Sequence, residues 1–430
     1  MTGIMQSNQN KIQKLFIITL AFSAFSSAVW AQDSIESASQ NTKEEQQSSV
    51  QSTLENTSIT RNYTITLGYP HDSRVIANAG VALNKAGYDL YFQLVYPKLP
   101  GLLQKITAPV WTTFWTFNFT LWPHEMGHWV RANQAGGDFL ITQYQFPVPV
   151  AKMVQPPWGA TPLQEALMSS GGFEINNLMR RQTEMDFYKH GYAYGDELAH
   201  SFIQSIFFPM YSVLFTPADP ENPETWSNAY GDPTQYTKII FEHYSGRPSV
   251  ANNEVDPEQA KMYKEFFWVN LATILLDPML YQSAAGFGMD MALYETRRPW
   301  RLGNETFSWM YSLQFNPGAL GYEIIFLNHV KIKERKFAFY GKWGRPFKNY
   351  GAGILYPQIF TMGKFSMGSS LEVWEQDFYG QGISLSVIPA FEIVPGYQLL
   401  ADVSWKTQGY ILGRRLEEGP EFLLHLAISF

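Results

Sequence analysis

Two histidines and a glutamate lie close together in Pro123-His124-Glu125-Met126-Gly127-His128-Trp129. On an α-helix, side chains four residues apart stand one above the other on a single face. His124 and His128 set that way can present imidazole nitrogens to one Zn2+ ion. Glu125, beside them, is suited to take a proton from water activated by the metal. The chemistry this spacing points to is hydrolysis.

That chemistry requires a helix, and the local sequence offers one. Pro123 suits a first helical position, where its missing N–H costs nothing. Gly136-Gly137 marks a stop after about three turns. A second helix is expected to begin near Thr161-Pro162, with Gln164 completing a capping-box-like start, and to run to Gly191. Inside it stand Gly171 and Gly172. Glycine in a helix interior costs ~1 kcal/mol relative to alanine. Two together predict close backbone approach to another helix, such as the one bearing His124.

The motif resembles the zincin metallopeptidases, whose HExxH helix it matches at every fixed position. The resemblance implies a peptide or protein substrate, His124 and His128 as zinc ligands, and Glu125 as general base. In the gluzincin branch the third ligand is a Glu on a later helix. Glu174 is the best candidate, with Glu165, Glu184, His190 and His200 as competitors. Gly137 and Asp138 occupy the region where a metzincin would carry a third His. Asn177, one turn beyond Glu174, is a candidate to orient a ligand. Arg180, His190 and His200 are candidates to stabilise an oxyanion.

Two rival arrangements share these residues. His-Glu-x-Gly-His also resembles site-2-type intramembrane metalloproteases, which take an Asp from a later Leu-Asp motif, and Leu276-Asp277-Pro278 is the counterpart here. Glu125-x-x-His128 and Glu197-x-x-His200 fit half of a di-iron carboxylate bundle, with Glu165 or Glu174 as a further ligand. No Glu lies between Glu55 and Glu125 to complete that set.

The rest of the chain suggests where such a site would work. Lys11 and Lys14, the apolar stretch 15–29 and Ala28-Val29-Trp30-Ala31 read as a secretory signal over residues 1–31. Residues 32 to about 60, rich in Ser, Gln, Thr and Glu, read as a disordered linker. Charged residues make up 16% of the chain, against roughly 25% in ordinary soluble domains. Aromatics also reach 16%, while the mean hydropathy of -0.19 is too polar for a bundle of membrane helices. The β-barrel, with strands that alternate apolar and polar residues, reconciles these values. A net charge of -7 without a basic run argues against nucleic acid. The absence of cysteine excludes disulfides, thiolate zinc sites and Fe–S clusters.

Period-two alternation is clearest at the end of the chain, where Phe422, Leu424, Leu426, Ile428 and Phe430 share one face. It recurs in Phe307, Trp309, Tyr311, Leu313 and Phe315, and in Tyr397, Leu399, Ala401, Val403 and Trp405. Weaker versions near 320–331, 334–344, 350–361, 364–375 and 380–392 bring the expected total to about eight strands, each long enough to span a bilayer when tilted. The ending resembles the C-terminal signature of Gram-negative outer-membrane β-barrel proteins, over roughly residues 303–430. That resemblance implies the cell outer membrane as location, its lipid bilayer as a partner, and the barrel-assembly machinery during biogenesis.

Alternation at Tyr63, Ile65, Leu67 and Tyr69, and at Leu90, Phe92, Leu94 and Tyr96, adds a hairpin over 61–97. The expected fold class is α+β. A helical zincin-like domain over 98–300 joins a C-terminal antiparallel transmembrane β-barrel of about 8–10 strands over 301–430. The expected function is that of a zinc endopeptidase anchored in the outer membrane, its catalytic domain on the periplasmic side. The non-enzymatic counterpart is a structural, adhesive or transport barrel with a structural metal site and lumen-facing Asp402, Lys406 and Glu372.

Overall fold

The computed structural model describes residues 61–68, 72–145, 148–155, 159–215, 220–228, 231–290, 296–304 and 306–429. The signal and linker expected over 1–60 lie outside them. All eight strands expected from alternation form: β3 (Phe307–Gly318), β4 (Gly321–Ile332), β5 (Arg335–Pro346), β6 (Asn349–Met362), β7 (Phe365–Gln376), β8 (Gly380–Val394), β9 (Tyr397–Lys406) and β10 (Gly419–Ser429). With β1 (Asn62–Gly68) and the short β2 (Leu302–Gly303) they make one ten-stranded sheet, ordered β1-β10-β9-β8-β7-β6-β5-β4-β3-β2. Neighbours are antiparallel throughout. Among the described residues β1 and β2 are its two edges, with no pairing between them.

The two faces of the sheet are inverted relative to a water-soluble one. Ser308, Ser312, Gln314, Glu323, Lys342, Glu372, Gln376, Ser384 and Lys406 are buried. Phe326, Phe339, Trp343, Leu385, Val387, Trp405 and Phe422 are exposed. Period-two alternation defines two faces without saying which one packs inward. Here the polar face does, against helices.

Those helices are α1 (Ser73–Leu90), α2 (Gly101–Gln134), α3 (Pro162–His190), α4 (Gly195–Phe215), α5 (Asp232–Ser245), α6 (Pro257–Leu275) and α7 (Pro278–Ala285). The start of α3 follows the sequence closely: Thr161 and Gln164 form a full capping box, and the helix ends at Gly191 with φ 84°. Two expectations fail. The alternation at residues 89–96 is not a strand. α1 continues to Leu90 and short helical turns follow to Lys98, because Tyr88, Tyr91 and Phe92 also carry helical spacing and are all buried. Nor does Pro123 open its helix. α2 starts at Gly101 and holds both Pro109 and Pro123 inside. The expected stop holds, with Gly136 at φ 81° just beyond the last turn.

Helical side chains bond to both edges of the sheet. On its free side, β3 points the carbonyls of Leu313 and Phe315 and the amide of Leu313 toward the helices. Asn177 Nδ2 donates to Phe315 O at 3.0 Å, Arg180 Nη2 donates to Leu313 O at 3.1 Å, and Leu313 N donates to Asp277 Oδ1 at 3.1 Å. At the opposite edge, Lys85 Nζ donates to Asn62 O at 3.0 Å. An exposed strand edge is a row of unpaired backbone groups. Here polar helical side chains satisfy part of that row. Asn177, Arg180 and Asp277, all within the expected 98–300 segment, thus bond directly to the sheet.

The β9–β10 connection also turns inward. Tyr410, Ile411 and Leu412 are buried. Gln376 Nε2 donates to Tyr410 O at 2.7 Å, and Gln376 Oε1 accepts from Tyr410 N at 2.8 Å. This strap reaches α2 and α3, as described below.

Candidate metal centre

His124 and His128 come from the C-terminal third of α2, and their rings lie 5.0 Å apart centroid to centroid. The expected close approach between helices is present. A Cβ on Gly171 would sit 2.5 Å from Gly127 O, and a Cβ on Gly172 would sit 2.5 Å from the His124 ring. Glycine at both positions lets α3 press against the histidine helix. That contact brings the α3 backbone and Asn176 to the imidazoles.

His128 Nδ1 lies 2.7 Å from the carbonyl oxygen of Met168. A carbonyl only accepts, so this nitrogen carries the hydrogen. His124 Nδ1 lies 2.7 Å from Asn176 Oδ1, whose amide nitrogen donates to Thr120 O at 3.3 Å. That second bond fixes the amide orientation and makes His124 Nδ1 a donor too. Both Nε2 lone pairs are then left to face the same point. There they meet Asp232 Oδ2, at 3.0 Å from His124 and 3.2 Å from His128, with the two nitrogens 3.4 Å apart.

Three acceptor atoms converging at these distances repel one another unless a cation lies among them. In the metal-free protein that cation is a proton. Burial opposes protonation of His128, but the Asp232 charge overrides it and raises the pKa to about 9. Burial likewise opposes ionisation of Asp232, and the histidines outweigh it, holding the carboxyl well below the usual carboxylate range. A divalent metal ion satisfies the same three atoms. Two neutral imidazoles with Nδ1–H held by carbonyl oxygens, plus one carboxylate, is a donor set that suits zinc. Among the described residues, His124, His128 and Asp232 form the group that could hold a metal ion.

Glu125 is half-buried on the same helix, and its negative charge contributes to raising the pKa of both His128 and Tyr211. Tyr211, from α4, stacks on the His124 ring at 5.9 Å. Burial, Asp232 and Glu125 push its pKa far up, so it stays a phenol. Phe173 and Phe207 complete an apolar wall around His124, each 5.0 Å from its ring.

The other expected site residues are elsewhere. Glu174 is not placed as a ligand. It is fully buried, accepts from Arg131 Nε at 2.6 Å and again from Nη2, and takes Gly413 N–H at 2.8 Å. Arg131 Nη1 donates to Arg414 O at 2.9 Å, so the strap is tied to both helices of the site. Asn177 seals the β3 edge, while its neighbour Asn176 does the orienting. Arg180 is paired with Glu184 and Asp277, which removes it as an oxyanion donor and removes Asp277 as the Leu-Asp ligand. Glu197 pairs with Lys85 and Arg61, away from the histidines. His200 bonds Gln204, and burial lowers its pKa to about 4. His190 lines a polar cleft of about 370 Å³ among the strand ends near Asn62 and Ser429. Burial also lowers its pKa to about 4.

Sequence reasoning missed Asp232, the first residue of α5 in Gly231-Asp232-Pro233. An acid before proline at a helix start is a capping signal, and nothing local marks it as a ligand. No family model, characterised protein or solved structure matches this chain, so the reading of the site rests on its geometry.

Proposed function

We propose that this chain is a metal-dependent hydrolase of peptide bonds, with zinc the favoured ion, carried by a sheet whose apolar exterior faces lipid. The observation that carries the hydrolase reading is the convergence of both Nε2 atoms on Asp232 Oδ2 next to Glu125. Zinc held there supplies Lewis acidity, acidifying water and polarising a carbonyl. Met168 O and Asn176 keep the imidazoles in the tautomer that leaves Nε2 free. Glu125 takes the proton of the attacking water and hands it to the leaving amine. Tyr211, held as a phenol, hydrogen-bonds Asp232 and steadies that carboxylate among the ligands.

The lipid reading draws on the inverted sheet, with polar side chains buried and large apolar ones outside. No described helix is long and apolar enough to cross a membrane, a fact that does not bear on strands. Together with the pairing of Asp277, this disfavours the site-2-type arrangement.

A structural metal site is the second reading, favoured by the burial of both histidines at 0% and 5% exposure. One experiment separates the two. The protein is purified in detergent, its metal content measured, and a peptide mixture digested by the wild type and by Glu125→Gln. Cleavage lost with zinc retained supports hydrolysis. Zinc bound without cleavage by the wild type supports the structural role. A wild type that binds no metal removes both.

A further inference from the structure

The antiparallel hairpin of α1 and α2 extends past the end of the sheet. α1 runs back along β1, with Asn78 Nδ2 on Thr66 Oγ1 at 2.7 Å and Lys85 Nζ on Asn62 O at 3.0 Å. Asn62 is the first residue of β1, so α1 passes the strand end near Lys85. α2 then returns along α1, with Trp111 Nε1 on Gly87 O at 3.2 Å and Trp115 Nε1 on Leu83 O at 3.1 Å. Residues 90–110 therefore form a tip beyond the strand. Its α2 arm, from Gly101 to Val110, rises about 15 Å.

The tip has an unusual surface. Leu90, Leu94, Val95, Leu102, Leu103 and Ile106 are between 44% and 72% exposed. Beneath them the hairpin is braced by rings. Trp111 stacks on Tyr91 at 5.5 Å and on Trp115 at 5.3 Å, while Tyr88, Tyr91, Phe92 and Ala108 form a small buried core. From Leu90 to Pro123 the chain has no acidic residue. Its formal charges there are those of Lys98 and Lys105, both in the tip.

Large exposed apolar side chains, lysines among them, no acids, and aromatics behind suit the interface of a bilayer that contains anionic lipid. We propose that this tip is a membrane-docking surface that seats Leu94, Leu102 and Ile106 among lipid headgroups and upper acyl chains. The lysines face the anionic headgroups. The proposal is independent of the metal centre and adds a second contact to the lipid-facing sheet.

The absence of cysteine makes the test clean. Single variants Leu94→Cys, Leu102→Cys, Val387→Cys (outer face of β8) and Lys261→Cys (exposed on α6) carry an environment-sensitive fluorophore. Each full-length protein is reconstituted into phosphatidylcholine–phosphatidylglycerol vesicles with and without brominated acyl chains. The labels at 94 and 102 are expected to shift to the blue and lose intensity with brominated lipid, while the label at 261 does neither. A quenched label at 387 with unquenched labels at 94 and 102 overturns the docking tip and leaves the sheet reading standing. Quenching at 94 and 102 alone supports the tip and overturns the sheet reading. No quenching at any position overturns both. In the Leu102→Cys protein, adding Lys98→Glu and Lys105→Glu is expected to reduce quenching, and unchanged quenching overturns the preference for anionic lipid.

Discussion

Replacing Glu174 by Gln separates the site described here from the one its sequence suggests. The carboxylate is fully buried and receives two bonds from Arg131, whose side chain is itself 1% exposed, and one from Gly413 N–H. Glutamine keeps the size and loses the charge, leaving a guanidinium buried without its counter-ion. Removing one partner of a buried pair costs about 3–5 kcal/mol. Arg131 keeps Gln134 and Arg414 O, which favours the lower part of that range. Urea unfolding in detergent, followed by tryptophan fluorescence, should show a midpoint shifted down with its slope unchanged. Zinc content of the folded variant should equal that of the wild type. The double variant Arg131→Met/Glu174→Leu should regain much of the loss, since no buried charge is left unpaired. A Glu174→Gln protein of wild-type stability that has lost its zinc would restore Glu174 as a ligand.

Three further outcomes follow from the same geometry. The raised pKa of His128 stabilises the metal-free protein fully below pH 6.5, and that contribution is lost as pH rises through about 9. The depressed pKa of Asp232 adds stability above its unfolded value near 4, lost as pH falls. Metal-free protein should therefore be most stable between these limits, while zinc affinity, which competes with the His128 proton, should rise with pH up to about 9; melting curves and chelator competition across pH check both. Gly172→Ala places a methyl against the His124 ring, and overpacking of this kind costs about 1–3 kcal/mol; thermal denaturation with zinc titration should show lower stability and weaker zinc together. Asn176→Leu removes the acceptor that orients His124, and zinc affinity by chelator competition should fall about 10–100-fold.

What was legible depended on the range of the interaction. His124 and His128 were readable because their pairing is a property of one helix. The Thr161 cap and the Gly171-Gly172 contact were readable because each is a local steric rule. Asp232 lies 104 residues from His128, and no periodicity joins them. Glu174 sat on the expected helix in an expected position, yet an arginine one turn after His128 and a strap from the sheet had claimed it. Strands β3 to β10 were visible in their alternation, but the buried face was not, since alternation is symmetric between its two faces. Residues 89–96 satisfy both a strand and a helix period, and continuity with α1 decided for the helix. Asn177, Arg180 and Asp277 resembled site residues because the open edge of a sheet also needs polar partners, a demand that exists only once the topology is known.

One ion is expected to bind among His124, His128 and Asp232. The most direct measurement is the zinc content of the chain purified in detergent and loaded with zinc, for the wild type and for Asp232→Ala. One zinc per wild-type chain is expected, and its loss in the variant, with the helical circular-dichroism signal retained. A wild type that takes up no zinc, or an Asp232→Ala protein that holds it as tightly, would mean that these three residues hold no ion.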